Sequence, residues 1–226
     1  MPETLVEARS LSKAFQSRDG KPLLVLDQVS CSIVPGDRIA VEGPSGSGKS
    51  TLLALLGGLL SPTHGDISWP ALGSRRDLQP LQIAFVFQTP SLFPPLTVLQ
   101  NVTLPLLLAG QPARSKERAE CLLALFGLAN LTRKLPEELS GGQAHRVAMV
   151  RALMVRPRLL IADEPTGQLD TLTATSLLDR IFDQLAGTEA ALLVATHDAK
   201  VARRMRTRWT MDHGRLSPGP GREQTG

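Results

Sequence analysis

The sequence predicts an α/β fold with a mostly parallel β-sheet, on three observations. Four short apolar runs, RIAVEG (38–43), IAFVFQ (83–88), LLIADE (159–164) and ALLVAT (191–196), lack the alternation of a half-exposed strand. Such runs suit strands of a parallel sheet covered by helices on both faces. Helical patterns lie between them: KSTLLALLGGLL (49–60), ERAECLLALFGL (117–128) with Leu122, Leu125 and Phe126 apolar, and TATSLLDRIFDQLA (173–186) with Leu177, Leu178, Ile181 and Leu185. Strands alternating with helices define the class. The first 36 residues differ: EARSLSKAF and LLVLDQVSCSI are β-rich, joined by the turn-like SRDGKP (17–22) and closed by PGD (35–37). They predict a small antiparallel β subdomain at the N-terminus.

Residues 89–138 carry PP, LP and GQP punctuation among helical patterns, and with the helix that follows they predict an inserted α-helical subdomain over about 89–157. The expected organisation is one domain over 1–216 and a flexible tail over 217–226, where SPGPGREQTG is too polar and too rich in Pro and Gly to order itself. A chain of 226 residues buries a substantial core as one domain. Its composition, 42% hydrophobic and 20% charged with net charge +4, is that of an ordinary globular protein and announces no nucleic-acid partner. Cys31 and Cys121 match no metal spacing and are expected as buried small hydrophobes. No secretory leader is read, so a reducing cytoplasmic setting is expected. The apolar runs LLALLGGLL (52–60) and LPLLLAG (104–110) are well short of the ~18 residues of a membrane span. Any membrane attachment is therefore expected through a partner.

The run RIAVEG leads into GPSGSGKS (43–50), which satisfies G-x-x-x-x-G-K-[ST] in the required setting, after a strand and before a helix. Gly43, Pro44, Ser45, Gly46, Ser47 and Gly48 turn successive backbone N–H groups inward, and the following helix adds the positive end of its dipole. A polyphosphate fits such a cradle. Lys49 is placed for the β- and γ-phosphates, Ser50 for Mg²⁺ and Thr51 for the α-phosphate.

In LLIADEP (159–165) an apolar strand ends in two carboxylates. Asp163 suits Mg²⁺, directly or through water, and Glu164 suits a general base for an attacking water. The other strands also end in polar residues, Gln88 in one case and His197 with Asp198 in the other. Ligands of open α/β sheets bind beyond the carboxyl ends of the strands, so these ends are expected to border one crevice.

Kinases, GTPases, helicases and transport ATPases share the first loop, so the decision falls on LSGGQAHRVAMVRALMVRP (139–157). Ser140 and two glycines open a helix there, giving a second anion-binding helix N-terminus in a chain that already has a phosphate cradle. This LSGGQ resembles the signature of the ABC (ATP-binding cassette) ATPases, and the other family motifs follow in order: the loop at 43–51, Gln88, LLIADEP, Gln168-Leu169-Asp170 and His197. The resemblance covers about residues 5–216. It implies a P-loop NTPase (RecA-like) core and a head-to-tail dimer with a second copy or a related cassette. Each ATP is then held between the phosphate loop of one cassette and the signature of the other. Carried over by motif, Ser140, Gly141, Gly142 and Gln143 contact the γ-phosphate on the partner, and Asp170 links the two sites. Gln88 senses Mg²⁺ and water. Glu164, His197 and Gln88 form the catalytic set, and Phe15 stacks on adenine.

Four positions depart from the pattern: Ala144 and His145 follow the signature where relatives carry polar residues such as Gln, Gln168 replaces Asn or Ala, and Gln100 replaces Glu. None removes a catalytic group. Arg203, Arg204, Arg206 and Arg208 are read as a solvated helix face before an edge strand, RWTMDHGRL (208–216), because no aromatic stacking pattern accompanies them. His213 is read as a surface turn residue. KSTLLALLGGL, KLPEELSGGQ and ADEPTGQLD look most like the stand-alone cassettes of the lipoprotein-release and macrolide-efflux branch. That implies a bacterial transporter subunit on the cytoplasmic face of the membrane, hydrolysing Mg²⁺-ATP to drive a separately encoded integral membrane permease. The cargo implied is lipid-linked, peptide or drug-like. A regulatory cassette acting on a cell-envelope or division complex is the alternative, with a soluble non-transport ATPase behind it.

Overall fold

A computed structural model of the chain describes residues 3–16, 19–78, 81–113 and 115–218. In chain order its elements are β1 (Val6–Gln16), β2 (Pro22–Ile33), β3 (Arg38–Glu42), α1 (Lys49–Leu56), β4 (His64–Ser68), β5 (Ile83–Val86), α2 (Val98–Leu108), α3 (Ser115–Leu125), α4 (Gly141–Leu153), β6 (Leu159–Asp163), α5 (Thr171–Leu185), β7 (Ala191–Thr196), α6 (Ala199–Ala202), β8 (Thr207–Asp212) and β9 (Arg215–Pro218). They fall into two units, Met1–Leu78 with Ala191–Gly226, and Gln79–Ala190.

In the first unit, β1 pairs antiparallel with β2, setting Val6 opposite Ile33 and Phe15 opposite Leu23. This is the expected antiparallel subdomain, and β4 adds a third strand beside β1. The turn expected at 17–22 starts on positions 17 and 18, outside the described residues. Beside this sheet, β3 lies between β7 and β8, parallel to both, with Ile39 opposite Leu193 and Val41 opposite Trp209. Ile39, Ala40, Val41 and all six residues of β7 are buried, which explains their unbroken apolar runs. Each buried Val, Leu or Ile contributes about 1.5–3 kcal/mol.

The run 208–216 is not one strand. It folds back at His213 and Gly214, whose φ angles of 44° and 78° are both positive, as a two-residue hairpin of the primed type requires. β9 continues through Ser217 and Pro218, so the first two residues of the expected tail are paired with Thr210 and Trp209. Residues 219–226 lie outside the described residues. The expected arginine-bearing helix face is also corrected. α6 stops at Ala202, Arg203 is its C-cap and Arg208 lies on β8, so the four arginines do not share one helix.

In the second unit, β5 and β6 pair in parallel, with Ile83 opposite Leu159 and Val86 opposite Ala162, and every residue of β6 is buried. The helices α2, α3 and α4 pack together, and Val102, Leu123, Val147 and Val150 on them are buried. Arg118 of α3 donates to Leu153 O and Met154 O at the end of α4, where a cation suits the negative end of the helix dipole. Two predicted apolar faces are seen: Leu177, Leu178, Ile181 and Leu185 of α5 are buried, and so are Leu122 and Phe126, but Leu125 is exposed. Cys121 is exposed on α3 and Cys31 only half-buried, so the expectation that both are buried is not met. No described helix is long and apolar enough to cross a membrane.

Candidate functional site

Strand β3 ends at Glu42 and delivers the glycine-rich loop. Gly43 has φ 152°, and a Cβ there would come within 2.1 Å of Met211 O. Gly48, φ 105°, stands at the N-cap of α1, where a Cβ would meet Val25 O and Leu26 Cδ2 at 2.9 Å. Glycine is required at both positions, for conformation and for room. The loop is thus walled by β2 on one side and by the β8–β9 hairpin on the other. Gly214 N donates to Ser47 O at 3.1 Å and adds a direct tie.

Lys49 is buried, and its Nζ donates to Gly43 O (2.8 Å) and Pro44 O (3.0 Å), which holds the ammonium over the loop. Pro44, Ser45 and Gly46 are exposed; Ser47 is buried, and its Oγ has no hydrogen-bond partner among the described residues. No side chain caps α1. Its first N–H groups therefore favour an anion, with exposed Ser50 and half-exposed Thr51 in the same turn. β7 pairs with β3 and sets Thr196 opposite Glu42, so exposed His197 follows a strand end adjacent to the start of the loop. Phe15 presents its ring at the surface of β1, 39% exposed, with Lys13 Nζ 5.1 Å from the ring centroid.

The second unit carries the other predicted residues. Because β5 and β6 are parallel neighbours, Gln88 and Glu164 follow adjacent carboxyl ends. Gln88 is exposed, whereas Asp163 and Glu164 are 6% and 8% exposed. Glu164 adopts φ 49°, a left-handed conformation that a non-glycine residue takes only when its surroundings impose it. Its carbonyl accepts Gly167 N at 3.1 Å, which turns the chain sharply after the strand.

Ser140 caps α4 through a reciprocal pair with Gln143: Ser140 N donates to Gln143 Oε1 (2.9 Å), and Gln143 N donates to Ser140 Oγ (3.2 Å). Gly141 and Gly142 lie against the segment after β6, since a Cβ on them would come within 2.5 Å of Gln168 Oε1 and 2.8 Å of Leu169 Cδ2. Asp170 caps α5, accepting from Leu172 N and Thr173 N at 3.0 Å and from Thr173 Oγ1 at 2.6 Å. The Thr173 hydroxyl first, and then the backbone N–H groups, hold its carboxyl below the usual carboxylate range.

Two features of this surface, at His145 and Asn101, leave no motif in the sequence. His145, noted there only as a departure, is buried, with Nε2 2.8 Å from Gln88 O and Nδ1 3.1 Å from Gly141 O. Asn101 is fully buried and organises the loop before α2, accepting from Phe93 N and donating to Phe93 O, Leu96 O and Thr97 O. An apolar groove lined by Leu92, Phe93, Leu104, Pro105 and Leu108, with Ser91 and Arg151, opens beside them.

The profile of the family described as ABC transporter matches residues 26–167, more than half of the chain. The chain belongs to the ABC transporter family. It is an ABC cassette that binds and hydrolyses ATP, as the loop, the carboxylate pair and the signature imply. It is similar to the lipoprotein-releasing system ATP-binding protein LolD of Legionella pneumophila (strain Paris), with 40% identity covering 91% of this chain and 93% of that protein. Among solved structures it resembles the ATP-binding cassette MJ0796, in a dimeric post-hydrolysis state bound to ADP and Pi, at TM-score 0.87 and 31% identity, covering 96% of this chain and 99% of that one. It also resembles cbiO1 from Clostridium perfringens, part of the ABC transporter complex cbiONQ, at TM-score 0.78 and 28% identity, covering 95% and 87% of the two chains. The ABC cassette reading agrees with the fold, whose antiparallel subdomain accompanies a mostly parallel sheet.

Proposed function

We propose that this cassette works as a head-to-tail dimer on the cytoplasmic face of a membrane, spending ATP to move an integral permease that extracts a lipid-linked substrate. The observation that carries the reading is one chain with two anion-receptive helix ends: α1, uncapped behind its glycine loop, and α4, opened by the signature glycines. The dimeric state of the MJ0796 cassette supports pairing, and 40% identity to a lipoprotein-releasing ATPase supports the substrate class.

In this scheme the loop residues Gly43–Thr51 bind the phosphates of ATP, Lys49 leaves its two carbonyls for the β- and γ-phosphates, and Phe15 stacks on adenine. Ser140, Gly141, Gly142 and Gln143 of the second cassette close over the γ-phosphate, and Asp170 joins the two sites. Glu164 takes a proton from the attacking water while His197 donates a hydrogen bond to the γ-phosphate, which stabilises charge as it develops. Ser50, Gln88 and Asp163 would hold Mg²⁺, directly or through water, and the ion would offset charge on the phosphates. Each supplies an oxygen donor of the kind Mg²⁺ takes: Ser50 an exposed hydroxyl in the first turn of α1, and Asp163 a carboxylate at a strand end. The groove with Phe93 and Leu108, which are 50% and 74% exposed, receives an apolar segment of the permease.

Glu164→Gln tests the chemistry. Loss of a general base lowers turnover by about 10² to 10⁴, so phosphate release should become barely measurable while ATP still binds. Near wild-type turnover would end the assignment. Lys49→Ala should weaken ATP binding itself in calorimetry.

A further inference from the structure

His145 has no part in the scheme above, yet it is the buried one of the chain's four histidines, 2% exposed. Its ring stands between two backbone carbonyls. Gly141 O, 3.1 Å from Nδ1, lies one turn back in the same helix; Gln88 O, 2.8 Å from Nε2, lies 57 residues away in the segment after β5. Gly141 O is the i−4 carbonyl of His145 and lies within hydrogen-bonded helix, whereas Gln88 O is in irregular chain and depends on a donor from elsewhere. Placing the ring proton on Nε2 supplies that donor and links the first turn of α4 to the Gln88 backbone. Farther along α4, Arg151 donates to Ser91 O at 2.7 Å and Ser91 Oγ at 3.0 Å, so one helix holds both ends of the 88–91 segment. The Gln88 side chain itself remains exposed. A helix that carries the signature at its start thereby also fixes where Gln88 stands.

We propose that His145 is a positioning residue for ATP hydrolysis: its Nε2–H holds the Gln88 backbone so that the Gln88 side chain and the signature turn Ser140–Gln143 keep one fixed register. The proposal rests on the reading of Gln88 as a group acting at the γ-phosphate side of ATP.

The test is steady-state ATP hydrolysis by the full chain carrying His145→Leu, His145→Gln, Gln88→Ala, and Gln88→Ala with His145→Leu. A lost hydrogen bond of about 1.4 kcal/mol corresponds to about tenfold in rate, so His145→Leu should lower kcat about tenfold. KM should stay within about twofold, because the link orients groups for the reaction and does not bind ATP. Gln at 145 keeps an N–H donor of similar reach and should return kcat to within about threefold of wild type. If His145 acts through Gln88, adding His145→Leu to Gln88→Ala should change kcat by less than about twofold, a non-additive pair. The proposal is overturned by an unchanged kcat in His145→Leu, or by the same fold loss with and without the Gln88 side chain, which marks general loosening. Should circular dichroism show His145→Leu unfolded, His145→Asn, too short to reach Gln88 O, carries the same expectations. A Gln88→Ala chain with wild-type kcat would instead remove the reading of Gln88, and the proposal with it.

Discussion

Asn101 shows what a single buried polar side chain does in this fold. Its Oδ1 accepts the Phe93 N–H and its two Nδ2 hydrogens are shared among the carbonyls of Phe93, Leu96 and Thr97, so the loop before α2 keeps its course through one residue. Asn101→Ala leaves those groups without that partner and should lower stability by about 1–3 kcal/mol in urea unfolding. Asp170 gives a pH signature. Its folded pKa lies below that of the unfolded chain, so its cap contributes fully above the ordinary Asp value of about 3.9 and is lost as pH falls through the lower folded value. The urea midpoints of wild type and Asp170→Asn should therefore converge in acid; parallel curves would deny the cap its titration. At this scale the sequence showed the residues that motifs name, Lys49, Asp163, Glu164 and Ser140 among them. It hid Asn101 and His145, because a hydrogen bond to a distant backbone carbonyl leaves no local pattern.

Elements were legible where their burial was periodic or complete. The four apolar runs became β3, β5, β6 and β7 to within two residues at their carboxyl ends, and α5 showed its stripe because one face meets the core. Strand β4 escaped notice because HGDIS has a single large apolar residue and lies mostly exposed beside β1. In RWTMDHGRL the turn at His213 was read but the split into β8 and β9 was not, because His-Gly is a weaker signal than the Asn-Gly or Asp-Gly that usually announces such a fold-back. For α2, Thr97 and Gln100 form a capping box, which gives Gln100, noted as a departure, a structural job at this helix. Thr97→Ala should lower stability by about 1 kcal/mol, with little effect on ATP binding measured by calorimetry. A large fall in affinity would mean that the cap also shapes the nucleotide site.

For the molecule as a whole, the class, the antiparallel β subdomain and the starts of α1 and α4 were legible, because each is written in a local run of residues. The two-unit division was not, since it depends on contacts between distant segments: the phosphate loop and His197 belong to one unit, and Gln88, Glu164 and the signature to the other. In the proposed dimer there is a further partition: a working site joins the loop of one cassette to the signature of another. The most direct measurement is the mass of the Glu164→Gln chain in light scattering with and without Mg²⁺-ATP. That chain should be a monomer that doubles its mass on adding ATP, with no doubling once Ser140→Arg is introduced as well. A chain that binds ATP yet stays monomeric at saturation, or that doubles equally with Ser140→Arg, would contradict that dimer.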